Sequence, residues 1–239
     1  MRPPVSIRPW LTALLVTGCA AHNRQHPPPA VSASSQIATP SVHRELESGH
    51  HRFDDAERWA RVFEDPARDA WQKPEQVILA LRIPRGARVA DIGAATGYFP
   101  VRIARADPDA TVYGVDIEPN LVAFLRARAD REKLSNLRAV LGTPADPKLP
   151  EQVDLVLLVD TYHHLQHRPT YFANLASRLR PGGRVAIVDF RKGSTIGPPE
   201  HHKIAEESVI AEMKLAGYRL AENHEFLPHQ YFLVFAIDR

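Results

Sequence analysis

Between residues 88 and 190 the chain keeps returning to short, nearly unbroken apolar runs of strand length, each separated from the next by a stretch with helical spacing. Strands of this kind are expected over residues 88–92, 111–116, 137–141, 153–160 and 184–190. A strand with one wet face alternates apolar and polar residues, so continuous runs such as 153–160 imply burial on both faces, which is the condition of a parallel sheet covered by helices. Helices are expected after Gly97, over residues 120–131 and over residues 170–179. The fold class is therefore α/β, doubly wound.

The flanks add detail. Trp59, Val62 and Phe63 recur at helical spacing, Asp65 with Pro66 makes a helix start, and residues 74–81 form a further helix. After Pro198 and Pro199 a helix is expected to run to Ala216 and stop at Gly217. Residues 218–226 and 230–237 read as two strands joined by Leu227, Pro228 and His229, a link that can only connect antiparallel neighbours. The expectation is a mostly parallel, seven-stranded sheet ending in an antiparallel hairpin.

The N-terminus reads as an address. Arg2 and Arg8 precede an apolar run at residues 10–17, about half of what a membrane-spanning helix needs, and Val16, Thr17 and Gly18 lead into Cys19. This resembles a bacterial lipoprotein signal, with residues 1–18 removed and Cys19 lipidated, so that acyl chains anchor the chain to a bilayer. Residues 19–50 are rich in Pro, Ser, His and Gln and poor in large apolar side chains, the composition of a tether. Residues 51–239 form the folded domain. The formal charge is +2, and its excess lies in the first 50 residues, where Arg2, Arg8, Arg24 and Arg44 stand against Glu45 and Glu47. A neutral body lacks the basic footprint that phosphate backbones require, so no nucleic-acid partner is expected. With one cysteine, intramolecular disulfides and thiol-pair redox chemistry are excluded. The linker histidines lack metal-ligand spacing, and His163 and His167, though four apart, have Pro169 beyond them and no nearby carboxylate pair to complete a site, so no metal is expected.

Chemistry concentrates where strands end and helices begin, the place where open α/β sheets bind ligands. Asp91, Gly93, Ala95 and Gly97 span the turn after the first strand. Asp116 closes the second strand, and a carboxylate there can accept hydrogen bonds from both hydroxyls of a ribose. The nicotinamide fingerprint demands glycine at relative positions one, three and six, which here are Gly93, Ala95 and Tyr98, so a redox dinucleotide enzyme is disfavoured.

From about residue 53 to the end, the chain resembles class I S-adenosylmethionine-dependent methyltransferases. Their acid-x-Gly-x-Gly-x-Gly turn is matched by Asp91, Gly93, Ala95 and Gly97, with Ala95 replacing the middle glycine. A methyl group there is expected to impose negative φ and to narrow the approach of a ligand. The resemblance implies S-adenosylmethionine as cofactor, with Asp116 on the ribose, Ile117 on the adenine, and Thr143 or Asp146 near the exocyclic amine. Past the fourth strand, Asp160 is a candidate for the methionyl ammonium, and His163 and His164 are candidate general bases. His201 and His202 are expected near the start of the last helix, and Arg68, Trp71, Gln72 and Lys73 on a segment that could cover the cofactor. The acceptor is expected to be a small molecule or a membrane-borne compound, and the location the cell envelope, or the cytoplasm if the signal is unused. The alternative function is a non-catalytic envelope lipoprotein on the same scaffold.

Overall fold

The computed structural model describes residues 56–238. The expected signal segment, lipidated Cys19 and tether lie outside the described residues. Five parallel strands, β1 (Arg88–Ile92), β2 (Thr111–Asp116), β3 (Leu137–Leu141), β4 (Val153–Val159) and β5 (Leu179–Phe190), are joined by β6 (Tyr218–His224) and β7 (Gln230–Ile237). The order across the sheet is β3-β2-β1-β4-β5-β7-β6, with β7 antiparallel to both its neighbours. Three helices, α1 (Ala56–Phe63), α2 (Ala67–Gln72) and α3 (Pro74–Leu81), precede the sheet. Helices α4 (Tyr98–Ala106), α5 (Pro119–Arg131), α6 (Arg168–Leu175) and α7 (Glu206–Leu215) follow β1, β2, β4 and β5. None of the described helices is long and apolar enough to cross a membrane.

The apolar runs are continuous because adjacent residues serve opposite layers. Val89, Leu155, Leu157, Val188 and Val234 pack with α3, α4 and α5, and Ala90, Val156, Leu158, Ile187 and Leu233 pack with α6 and α7. Both faces of the central strands are thus removed from water, which is what the sequence pattern requires.

Four boundaries differ from expectation, among them that of α6, which ends at Leu175 and not at Leu179. Strand β5 begins at Leu179, five residues early, because Pro181, Gly182 and Gly183 form a bulge inside the strand and not a turn before it. The register jumps from Val153 opposite Leu179 to Leu155 opposite Arg184. Gly182 takes φ +81, and a Cβ on Gly183 would sit 2.9 Å from the Arg180 carbonyl oxygen. Helix α7 begins at Glu206, well after Pro199, since residues 191–205 are a loop tied by Lys203 Nζ to Ser194 O (2.6 Å) and Lys192 Nζ to Glu200 O (2.8 Å). His201 and His202 therefore lie on this loop and not on the helix. Strand β6 ends at His224, which leaves residues 225–229 as the hairpin connection.

Candidate functional site

Strand order reverses between β1 and β4, so the connections leaving their carboxyl ends diverge to opposite sides and leave a crevice at the strand tips. The turn after β1 is fixed by the protein itself. The Gly93 and Ala94 amides donate to Val115 O at 2.8 and 2.9 Å, and Gly97 N–H donates to Ala94 O at 2.9 Å. Gly93 has φ +78, and a Cβ on it would lie 2.2 Å from Thr161 Oγ1, so only glycine lets the β1 turn meet the chain leaving β4.

Ala95 contradicts the expected negative φ: it adopts φ +46. The methyl group does not reshape the turn; the turn imposes the left-handed conformation at a cost of about 1 kcal/mol. What holds it is Asp116, whose Oδ2 accepts the Ala95 N–H at 2.9 Å while Oδ1 accepts the Glu118 N–H at 3.0 Å. Asp116 therefore ties the β1 turn to the entry of α5, and each of its oxygens keeps a second lone pair for a ligand. Burial raises its pKa despite the backbone amides that favour the charge.

Beside this carboxylate, Leu141 is the cross-strand partner of Asp116, and both Leu141 and Ile117 stand half exposed (49% and 50%). Two large apolar side chains left in water at adjacent strand tips provide a surface for a flat apolar ring. Thr143 and Asp146 are occupied with each other: Thr143 N–H donates to Asp146 O at 2.8 Å, and Thr143 Oγ1 to the same oxygen at 3.1 Å. The Asp146 carboxylate accepts the Lys148 amide, and Lys148 holds its pKa low. Both residues thus shape the turn after β3.

Across β1 the chemistry changes. Asp91 is 4% exposed, and burial pushes its pKa up to about 7 against the pull of the Arg68 guanidinium, with the neighbouring Asp116 charge adding to the rise. Asp160, at φ +55 directly after β4, is pushed up to about 7 by burial, again against Arg68. Arg68 Nη2 donates to Asp160 Oδ2 at 3.1 Å and its guanidinium lies 4.1 Å from the Tyr98 ring centroid. The paired geometry fits the ionised carboxylate.

The N-terminal helices close over these groups. Glu64 accepts hydrogen bonds from Thr96 Oγ1 (2.9 Å) and Arg128 Nη1 (2.6 Å), Lys73 Nζ donates to Phe226 O (2.9 Å), and Gln72 is wholly buried. Trp71 packs against Phe190 at 5.8 Å, and Trp59 is buried.

His163 and His164 separate sharply. The His163 side chain is 4% exposed; its Nδ1 lies 2.8 Å from Asp189 Oδ1, and its backbone N–H donates to Asp189 Oδ2 at 3.0 Å. Asp189 raises its pKa above the usual histidine value of 6.5, overcoming the burial that lowers it. His164 is exposed, its ring 4.1 Å from that of His163. Asp189 and Gln230 escaped the sequence reading, although a lone aspartate inside the apolar run 184–190 was a visible signal. A cavity of ≈ 460 Å³ lined by Gly182, Arg184 and Arg219 lies at the opposite end of β5, away from all these groups.

Residues 90–185, which run from β1 into β5, match the family model described as a methyltransferase domain. A structure described as a SAM dependent methyltransferase from Aquifex aeolicus superposes with TM-score 0.70 at 22% identity, covering 77% of this chain and 98% of that one. Among curated proteins, phosphoethanolamine N-methyltransferase 1 of Triticum aestivum is 27% identical over 165 residues, 68% of this chain and 31% of its own length. The malonyl-[acyl-carrier protein] O-methyltransferase of Methylococcus capsulatus is 30% identical over 134 residues, 56% of this chain and 42% of its own. The chain thus spans less than half the length of these curated relatives.

Proposed function

We propose that this chain is an S-adenosylmethionine-dependent methyltransferase acting on a small-molecule acceptor. The observation that carries the reading is the division of the strand tips: an apolar pair beside a buried carboxylate on the β2–β3 side, and buried carboxylates on the β1–β4 side. That donor set fits a nucleoside with a cationic amino-acid tail. Ile117 and Leu141 would pack on the adenine, Asp116 would accept the ribose hydroxyls, and Asp91 and Asp160 would face the positive charge. Thr143 and Asp146 would border the adenine edge through the turn they build. Gly93, Ala95 and Gly97 serve by holding the loop, not by direct contact alone. When bound, S-adenosylmethionine supplies a methyl group already activated on a sulfonium centre.

The protein's remaining task is to place the acceptor in line and take up its proton. With Nδ1 committed to Asp189, neutral His163 carries its lone pair on Nε2, the arrangement of an oriented general base. His164, exposed beside it, would line the acceptor entrance. An acceptor with a weakly acidic O–H or N–H is the class such a base serves; the two curated relatives act by their names on nitrogen and on oxygen, so the acceptor atom follows from neither. The resemblance of Val16, Thr17, Gly18 and Cys19 to a lipoprotein signal supports attachment to the cell envelope, where a membrane-borne acceptor would be within reach of the tether. Radiolabelled palmitate should then mark the wild type and not Cys19→Ala; equal labelling of both rejects the anchor.

Isothermal calorimetry of the full chain with S-adenosylhomocysteine tests the cofactor assignment. Micromolar binding that weakens by roughly tenfold or more in Asp116→Asn is expected; binding unchanged in that variant removes Asp116 from the ribose.

A further inference from the structure

Four side chains from three separate parts of the chain close a hydrogen-bonded ring. Arg68 Nε donates to Gln72 Oε1 (3.1 Å), Gln72 Nε2 to Gln230 Oε1 (2.6 Å), Gln230 Nε2 to Asp160 Oδ1, and Arg68 Nη2 to Asp160 Oδ2 (3.1 Å). Gln72 and Gln230 are both fully buried. The ring joins α2, the first residue of β7 and the residue just past β4.

Stability does not account for such a ring. Burying two amides and an ion pair costs desolvation that the internal bonds barely offset, and well-packed apolar residues serve a core at least as well. The ring does achieve a fixed orientation. Asp160 sits in the left-handed region at φ +55, a strained position for a residue other than glycine, and both of its oxygens are held from behind. Arg68 is held by three further contacts: its Nη1 donates to Phe63 O (3.1 Å), its guanidinium lies over Tyr98, and Trp71 is 6.0 Å away. The result is an anion and a cation side by side at the tip of β4, across β1 from Asp116.

We propose that Gln72 and Gln230 are positioning residues that orient the Asp160–Arg68 pair to receive the charged amino-acid end of the cofactor. This rests on the cofactor reading above, because a nucleoside whose sugar lies at Asp116 must send its tail across β1 toward β4. A tail bearing one ammonium and one carboxylate is matched in charge by one carboxylate and one guanidinium. The two glutamines bond the pair and not the tail; they act by holding Asp160 and Arg68 at fixed separation and orientation, and they couple docking of α2 to completion of that subsite.

The test compares two nucleosides on the full chain by calorimetry: S-adenosylhomocysteine, which has the amino-acid tail, and 5′-methylthioadenosine, which lacks it. Gln72→Leu and Gln230→Leu are expected to weaken S-adenosylhomocysteine by roughly tenfold or more while leaving 5′-methylthioadenosine within about twofold of the wild type. Gln72→Met and Gln230→Met, which keep the side-chain length while removing the amide, and Asp160→Asn, which keeps side-chain size, are expected to show the same selective loss. Equal weakening of both ligands assigns the ring to general structure and overturns the proposal, as does no weakening of either. A wild type that binds neither nucleoside is a separate result, since it removes the cofactor reading itself.

Discussion

His163 and Asp189 make a residue-level prediction about rate. A base must be neutral to act, and the His163 pKa is raised by Asp189, so turnover should climb with pH through a value above 6.5 and flatten beyond it. Asp189→Asn should move that inflection down and lower kcat by roughly a hundredfold, the usual scale for a disabled general base, with little change in KM. An unshifted profile in Asp189→Asn would place His163 outside the chemistry. The buried carboxylates give a second prediction, on stability. Asp91 and Asp160 titrate near 7 in the fold against 3.8 in a solvated chain, so the folded state holds protons that the unfolded state has lost. Stability from these groups therefore falls as pH rises between about 4 and about 7, and a raised His163 acts in the same direction. Thermal midpoints of the ligand-free protein should decline over that window, and Asp91→Asn should flatten the decline; a midpoint that rises there contradicts the burial of these groups. Ala95 gives the third: relieving its left-handed strain with Ala95→Gly should stabilise the fold by about 0.5 to 1 kcal/mol in urea unfolding, whereas destabilisation would mean the observed φ +46 is not the working conformation.

At the scale of elements, packing both faces of the sheet makes the central strands sensitive to truncation. Leu157, fully buried in β4, should cost about 2 to 5 kcal/mol on change to Ala, while Leu79, exposed on α3, should cost little in the same assay. The sequence made these strands legible because burial on both faces forces an unbroken apolar run, which is a strong one-dimensional signal. It misplaced the start of β5 because a glycine pair serves a bulge as readily as a turn, and the choice depends on where β4 lies. It extended the last helix toward Pro199 because the ties that keep residues 191–205 as a loop, Lys203 to Ser194 and Lys192 to Glu200, are contacts between side chains and carbonyls that no periodicity encodes. The site divides in the same way. Asp91, Gly93 and Asp116 stand at fixed distances along one strand-helix-strand unit and were readable, whereas the ring of Arg68, Gln72, Asp160 and Gln230 bonds residues up to 158 positions apart. Nothing local distinguishes Gln230 from any polar residue that opens a strand.

For the whole molecule, the sheet order sets the division of labour. Strands β2 and β3 lie on one side of β1 and offer an apolar pair with Asp116; β4, β5 and β7 lie on the other and bring Asp160, Asp189 and Gln230 to neighbouring tips. The N-terminal segment is tied to both sides at once, through Glu64, just after α1, to Arg128 and through Arg68 of α2 to Asp160. The most direct measurement is a crystal structure of the full chain soaked with S-adenosylhomocysteine. The account predicts the ribose hydroxyls within hydrogen-bonding distance of the Asp116 carboxylate, the adenine against Ile117 and Leu141, and the amino-acid tail at Asp160. A nucleoside bound at any other end of the sheet, with Asp116 still bonded to its backbone amides and to no ligand, would contradict it.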